Sequence, residues 1–226
     1  MRKRQVLVSI LILGLLTLML TAGCTTTTPA PSEEPQVGSG PQEGPFPGAD
    51  VGSLDVKLPE TKKDTIQLEG TDEEFDLILF QVDNMGFFTY VPADMIADTV
   101  SSAEGDAAVF MTNFLGNKRE DVYLSYLLLP EGVTQEEAVA KTKEALTKVG
   151  ADVKEHYEYS SVYPWAKDQL RFVKEDGDTT YIGYVGFGSR GDRVLQVTTH
   201  MPQEFSEGVF PRVNKIMVET RWFTAQ

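Results

Sequence analysis

Few residues of this chain have the side chains that catalysis or tight metal binding requires. The sequence holds two histidines, His156 and His200, and one cysteine, Cys24. A zinc site usually takes several His or Cys ligands, and a Ser-His-Asp triad needs its three groups close in space. The two histidines fall on different predicted strands, and no local pattern supplies either with partners. We therefore predict no catalytic residue, no metal site and no cofactor, while a carboxylate-rich cation site and a dispersed hydrolase site stay open.

A glycine-rich stretch at residues 186–191 matches the pattern G-x-G-x-x-G of dinucleotide-binding proteins. That pattern needs a helix directly after it, because the helix N-terminus holds the pyrophosphate. An apolar strand at residues 194–198 follows here instead, so we predict a hairpin turn. The adhesion tripeptide Arg190-Gly191-Asp192 falls in the same stretch, and we interpret it as turn chemistry.

The charge of the chain limits its partners. Its 226 residues carry 20 basic and 34 acidic side chains, a net charge of −14, which repels nucleic acid and anionic lipid headgroups. Two acidic clusters depart from EF-hand spacing and are interpreted as solvated loops and strand ends. These clusters are Asp72, Glu73, Glu74 and Asp76, and then Glu175, Asp176 and Asp178.

The N-terminal residues have the form of a secretory signal. Three basic residues precede an almost wholly apolar run at residues 6–20, and the segment Leu20-Thr21-Ala22-Gly23-Cys24 resembles the lipobox of bacterial lipoproteins. The resemblance implies cleavage before Cys24 and a diacylglyceryl group on its thiol, which would hold the protein to a membrane on the extracytoplasmic face. An uncleaved transmembrane anchor is the alternative, because the apolar run nears spanning length.

Three segments are predicted along the chain. Residues 1–23 form the lipoprotein signal peptide, and cleavage would leave the rest with a net charge of −17, because the three basic residues removed have no acidic counterpart. Residues 24–52 are rich in Thr, Pro, Gly and Glu and predict a disordered stalk, since such a segment buries too little apolar area to offset its ordering entropy. Residues 53–226 form one globular domain.

Hydrophobic periodicity assigns the elements of this domain. It predicts strands at 54–58, 65–69, 75–82, 87–91, 107–114, 122–129, 152–159, 169–174, 179–187 and 192–200. Thr134 and Glu137 predict a capping box that opens a helix ending before Gly150. Its apolar face comprises Ala138, Val139, Thr142, Ala145, Leu146 and Val149. A second helix follows Pro202, with Pro211 in its first turn or at a kink. The order predicts an α+β fold, a mainly antiparallel β-sheet with flanking helices.

This succession resembles a PsbP-like α/β/α sandwich over about residues 65–224. The resemblance rests on a strand ending in Phe88-Thr89-Tyr90-Val91-Pro92, a strand ending in Leu129-Pro130-Glu131, the capped helix, the long hairpins and the helix after Pro202. It implies a non-catalytic accessory or assembly role. It carries over no site residue.

A group of aromatic residues is the candidate binding surface, because aromatic side chains on a strand-loop edge often make contacts. The group comprises Tyr157, Tyr159, Tyr163 and Trp165. The leading hypothesis is a non-enzymatic accessory or protein-interaction lipoprotein with a protein partner in the cell envelope. The alternatives are a small-ligand or cation-binding lipoprotein and an extracytoplasmic hydrolase.

Overall fold

The computed structural model describes residues 49–52, 57–114, 116–155, 162–166 and 168–223. The predicted signal peptide, Cys24 and most of the predicted stalk lie outside the described residues. So do His156, Tyr157 and Tyr159.

Within the described residues the chain forms twelve strands in two sheets. The strands are β1 (Ala49–Asp50), β2 (Thr61–Leu68), β3 (Thr71–Val82), β4 (Phe87–Pro92), β5 (Met95–Ser102), β6 (Gly105–Phe114), β7 (Asn117–Leu128), β8 (Asp152–Glu155), β9 (Asp168–Asp176), β10 (Thr179–Arg190), β11 (Arg193–Pro202) and β12 (Arg221–Trp222). The small sheet has the order β1-β12-β4-β3-β2, and the large sheet has the order β5-β6-β7-β11-β10-β9-β8. Every pairing is antiparallel except that of β1 with β12. The predicted antiparallel character of the fold is therefore confirmed.

Helix α1 (Gln135–Lys148) begins as the capping box predicts. The amide of Thr134 donates to Oε2 of Glu137 at 2.9 Å, and the amide of Glu137 donates to Oγ1 of Thr134 at 3.2 Å. The helix packs on β8, β9, β10 and β11 of the large sheet. Only Ala138 of this helix is buried, and Ala145, predicted on the apolar face, is exposed. The half-buried face of α1 includes Thr142 and Leu146. Ala145 precedes Leu146 by one residue and therefore lies beside this face, towards solvent.

Helix α2 (Ser206–Glu219) follows a short 3₁₀ turn at Gln203–Phe205 and contacts β4, β2 and β11. It therefore contacts strands of both sheets. Of the two described α-helices, only α1 packs on the outer face of the large sheet. Pro211 is the sixth residue of α2 and not part of its first turn, which corrects one of the two positions predicted for it. At that position proline removes one hydrogen bond from within the helix.

The main core lies between the two sheets and α2. Phe87, Phe110, Tyr126 and Trp222 meet there with ring centroids 5.1–6.2 Å apart. From α2 the core takes Val209, Val213 and Ile216, all fully buried. A second cluster between α1 and the large sheet includes Leu170, Phe172, Val185, Phe187 and Val194. The large sheet is thus packed on both faces, but on the α1 side over only part of its width.

Three local predictions are corrected. The predicted strand at 54–58 does not continue through Lys57–Pro59, which are outside any strand. Residues Ala49–Asp50, assigned to the stalk, pair with β12, so folded structure begins before residue 53. Strands β5 and β12 were not predicted, because neither carries a strong apolar pattern of its own.

Candidate functional site

The register of the large sheet separates two faces with different burial. Along β7, Val122, Leu124, Tyr126 and Leu128 point into the main core and are buried. The alternate residues Tyr123, Ser125 and Leu127 point to the side on which α1 packs, and they are only half-buried. On this side α1 makes its main contacts with β8, β9, β10 and β11. Within the described residues, these main contacts do not include β5, β6 or β7.

We call the uncovered part of this side the open face. Its members lie across β5, β6, β7 and β11: the half-buried Ile96, Val100, Ala107, Val109, Tyr123, Ser125, Leu127, Thr198 and His200, the buried Met111 and the exposed Asp98. Seven of the eleven are aliphatic, methionine or tyrosine side chains, and Asp98 is the one acidic member. An antiparallel sheet that faces water on one side usually presents polar residues there. The open face therefore has the composition of a contact surface rather than of a hydrated one.

His200 lies at one end of the open face within a stack of rings. Its imidazole is stacked between Tyr181 on β10 and Tyr123 on β7, with centroid distances of 5.1 and 5.3 Å. The ring of Phe172, on β9, stacks on it at 6.0 Å. Phe172 reaches across β10 because Gly183 has no side chain, since a Cβ there would lie 2.0 Å from Cζ of Phe172.

The hydrogen bonds of His200 fix its tautomer. Its Nδ1 lies 2.8 Å from the carbonyl oxygen of Asp121, and a carbonyl only accepts, so the Nδ1–H donates. The neutral ring then carries its lone pair on Nε2. Burial lowers the pKa of His200 below its ordinary value of 6.5, which favours this neutral form.

The charged neighbour of His200 is already paired. Asp121 accepts two hydrogen bonds from the guanidinium of Arg119, at 2.8 and 2.7 Å, and these lower the pKa of its carboxyl. Tyr181 adds a weaker contact to the same carboxylate at 3.4 Å. Burial raises the pKa of Tyr123 to about 12, so its hydroxyl stays protonated at neutral pH.

This arrangement lacks the partners that acid–base or metal chemistry needs. In the described part of the chain, His200 has the Asp121 carbonyl as its hydrogen-bond partner and no serine, threonine or cysteine bonded to it. Within the same residues, no group of three or more His, Cys, Asp or Glu side chains could hold a metal ion. The ring stack therefore builds a rigid, largely apolar surface with few polar groups.

The structure places Tyr163 in the core, which is the packing explanation that its aromatic group also allowed, and not on the surface. Its side chain is fully buried, and its hydroxyl is hydrogen-bonded to Oγ1 of Thr199. Gly186 makes room for the ring, since a Cβ there would lie 2.6 Å from Cδ2 of Tyr163. Burial also raises the pKa of Tyr163. Trp165 is half-buried beside it, with ring centroids 5.5 Å apart.

The glycine-rich stretch leads into the hairpin between β10 and β11: residues 186–190 belong to β10, and only Gly191 lies in the turn. Gly191 and Asp192 form the turn, and Gly191 takes a positive φ of 60°, which a glycine adopts readily. Arg190 is still in β10, where its guanidinium lies 5.1 Å from the ring of Trp222 and donates to the carbonyl of Phe223. This packing accounts for the Arg190-Gly191-Asp192 tripeptide.

The sequence could have revealed the open face only in part. Ile96, Asp98 and Val100 lie on one side of β5, and that this side joins the open face depends on the pairing of β5 with β6 and of β6 with β7. The ring stack had no local signal at all, because Phe172, Tyr181 and His200 come from three different strands.

Comparison with known proteins shows similarity to solved structures. No protein-family profile and no curated protein matches this chain. The chain is similar to the solution structure of cyanobacterial PsbP (CyanoP) from Synechocystis sp. PCC 6803, with 12% sequence identity and a TM-score of 0.42. The match covers 65% of this chain and 92% of that protein. None of the helices in the described residues has the length and apolar character needed to cross a membrane.

Proposed function

We propose that this protein is a membrane-anchored extracytoplasmic lipoprotein whose folded body is a non-catalytic accessory module that binds another protein of the cell envelope. The open face carries this proposal, because it presents a row of half-buried aliphatic and aromatic side chains on a rigid sheet. Protein interfaces are built around such apolar centres with aromatic residues among them. Because the chain has a net charge of −14, the partner would combine an apolar centre with a basic rim.

The anchoring part of the proposal rests on the sequence Leu20-Thr21-Ala22-Gly23-Cys24. Cells expressing the full chain would be grown with an alkyne-bearing fatty acid, and the protein would be tested for covalent label. We expect label on the wild type and on Thr28→Ala, and none on Cys24→Ala. Label that persists on Cys24→Ala would contradict lipidation at this cysteine.

The binding part is tested by site-specific photocrosslinking of the full chain in its native membrane. A photoreactive residue at Ser125, in the middle of the open face, is compared with one at Lys141, which is exposed on α1. We expect one recurrent protein adduct from position 125 and not from position 141. The adduct should disappear when Val109→Glu places a second carboxylate opposite that of Asp98 on the open face. Equal adducts from both positions, or an adduct that survives this change, would argue against the open face as a binding surface.

A groove beside α1 supports a second candidate, the binding of a small polar ligand. The groove has a volume of about 1170 Å³ and is lined by Val139, Lys143, Thr147, Glu155, Asp168 and Ser189, among others. Its mixture of acidic, basic and hydroxyl groups on an open surface suits a small polar or zwitterionic ligand. A thermal-shift panel of metabolites and divalent cations tests it, and Lys143→Ala should abolish any shift that comes from this groove.

A further inference from the structure

Each sheet ends on one long strand whose outer side has no neighbouring strand in the described structure. These terminal strands are β2 in the small sheet and β5 in the large sheet, each eight residues long. The opposite ends of the sheets are short, with two residues in β1 and four in β8. A long terminal strand presents a row of unpaired backbone groups to which another chain can add a strand.

The register shows which amides point outward from these two edges. Leu68 pairs with Thr71, and Ser102 pairs with Gly105, each across a loop of two residues. A pair that closes a two-residue loop exchanges both of its hydrogen bonds, and along an antiparallel ladder such pairs alternate with non-hydrogen-bonded ones. By that alternation Thr65 and Thr99 are in non-hydrogen-bonded pairs, so their amides point away from the sheet.

Both of these outward amides are already occupied. The amide of Thr65 donates to Oδ1 of Asp64 at 2.8 Å, and the amide of Thr99 donates to Oδ1 of Asp98 at 2.8 Å. In each strand the aspartate is the fourth of eight residues, so the occupied amide lies at the middle of the edge. The same Asp-Thr pair has the same geometry in two separate sheets.

We propose that Asp64 and Asp98 block the two sheet edges against strand addition by a second copy of this chain. A strand added at either edge would need the central outward amide as a donor, and the carboxylate already accepts from it. At β5 an antiparallel pairing centred on Thr99 would also bring two Asp98 carboxylates together, where like charges repel, whereas the charge of Asp64 is paired with Lys215. In β5 the blocked amide interrupts the row of outward amides, with Met95 and Ala97 on one side and Ser101 on the other.

Asp98 gives the clearer test because Asp64 also binds Lys215, at 2.6 Å, and its loss would disturb the contact between β2 and α2. Asp98→Ala removes the acceptor and the charge, whereas Asp98→Asn keeps an acceptor for the Thr99 amide and removes only the charge. Asp178→Ala, in the exposed turn between β9 and β10, makes the same change in charge away from any edge.

The full chain in mild detergent would be analysed by sedimentation velocity over a range of concentrations, with the wild type as baseline. We expect Asp98→Ala to self-associate at a concentration about tenfold lower than Asp178→Ala, the factor that roughly one hydrogen bond supplies. Asp98→Asn should lie between the wild type and Asp98→Ala, because the Thr99 amide keeps its acceptor and only the repulsion is lost. Hydrogen exchange should then show slower exchange of the β5 amides in the associated Asp98→Ala protein.

Two results would overturn the proposal. The first is that the Asp98→Ala protein self-associates no more than the Asp178→Ala protein at any concentration. The other is association that leaves the exchange of the β5 amides unchanged, since the contact would then lie elsewhere. Should Asp98→Ala fail to fold by circular dichroism, Asp98→Ser keeps the test, because a serine hydroxyl is too short to cap the amide in the same way and has no charge.

Discussion

Gly183→Ala is the substitution for which the ring stack around His200 predicts the largest local effect. A Cβ at this position would lie 2.0 Å from Cζ and 2.3 Å from Cε1 of Phe172. Because carbon atoms pack at roughly 3.5–4 Å, the ring would have to move by about 1.5–2 Å. Phe172 is only 5% exposed and lies between α1 and the sheet, so it has little room to do so.

The expected change in the free energy of unfolding combines two losses with one smaller gain. Overpacking of this kind costs about 1–3 kcal/mol, and loss of the stack with His200 adds about 0.5–1.5 kcal/mol. Alanine in place of glycine within a strand returns roughly 0.5–1 kcal/mol. We expect a net loss of about 1–3 kcal/mol in the free energy of unfolding, measured by urea denaturation with an unchanged m-value.

A double-mutant cycle isolates the steric cause. Phe172→Leu removes Cζ and both Cε atoms, which are the atoms that the new Cβ would meet. In that background Gly183→Ala should be neutral or slightly stabilising, which gives a coupling energy of about 1.5–3 kcal/mol. Gly208→Ala is the matched control, because its nearest contact would be 3.8 Å away. A loss that is equal in both backgrounds would refute the steric explanation.

Two further effects on stability are expected. Thr134→Ala should lower the free energy of unfolding by about 1 kcal/mol because α1 loses its capping box, and Thr134→Ser should recover most of it. An unchanged urea midpoint would contradict this. His200 has a lowered pKa in the folded state, so the unfolded chain binds more protons as the pH falls below 6.5. The stability present above that pH is therefore lost towards pH 5, and His200→Gln should flatten this slope in urea titrations at successive pH values, whereas an identical slope would exclude the histidine as its source.

Local signals predicted the parts of the fold that are decided locally. The capping box placed the start of α1 at Thr134, and Asp83–Gly86 marked the turn between β3 and β4. These elements depend on side chains that act on their own backbone neighbours. The sequence therefore contains the whole of the information that forms them.

Distant residues decided the parts that the sequence did not reveal. Tyr163 is in the core because Gly186 leaves space for its ring and Thr199 bonds its hydroxyl, and neither is near it in the chain. Strand β5 mixes polar and apolar residues, and its pairing with β6 places it at the edge of a sheet whose other strands come from residues 105–202. The open face is a property of four strands together, so no single segment of sequence could indicate it.

The pairing of β1 with β12 has a mechanical consequence. Any tension that the chain upstream of residue 49 transmits reaches the body first at Ala49–Asp50, whose partner strand contains the buried Trp222. Strand β1 has only two residues, and one further bond, from the amide of Val51 to the carbonyl of Trp222, extends the contact. These few bonds are the first that such a pull would meet, because β1 precedes every other strand of the domain.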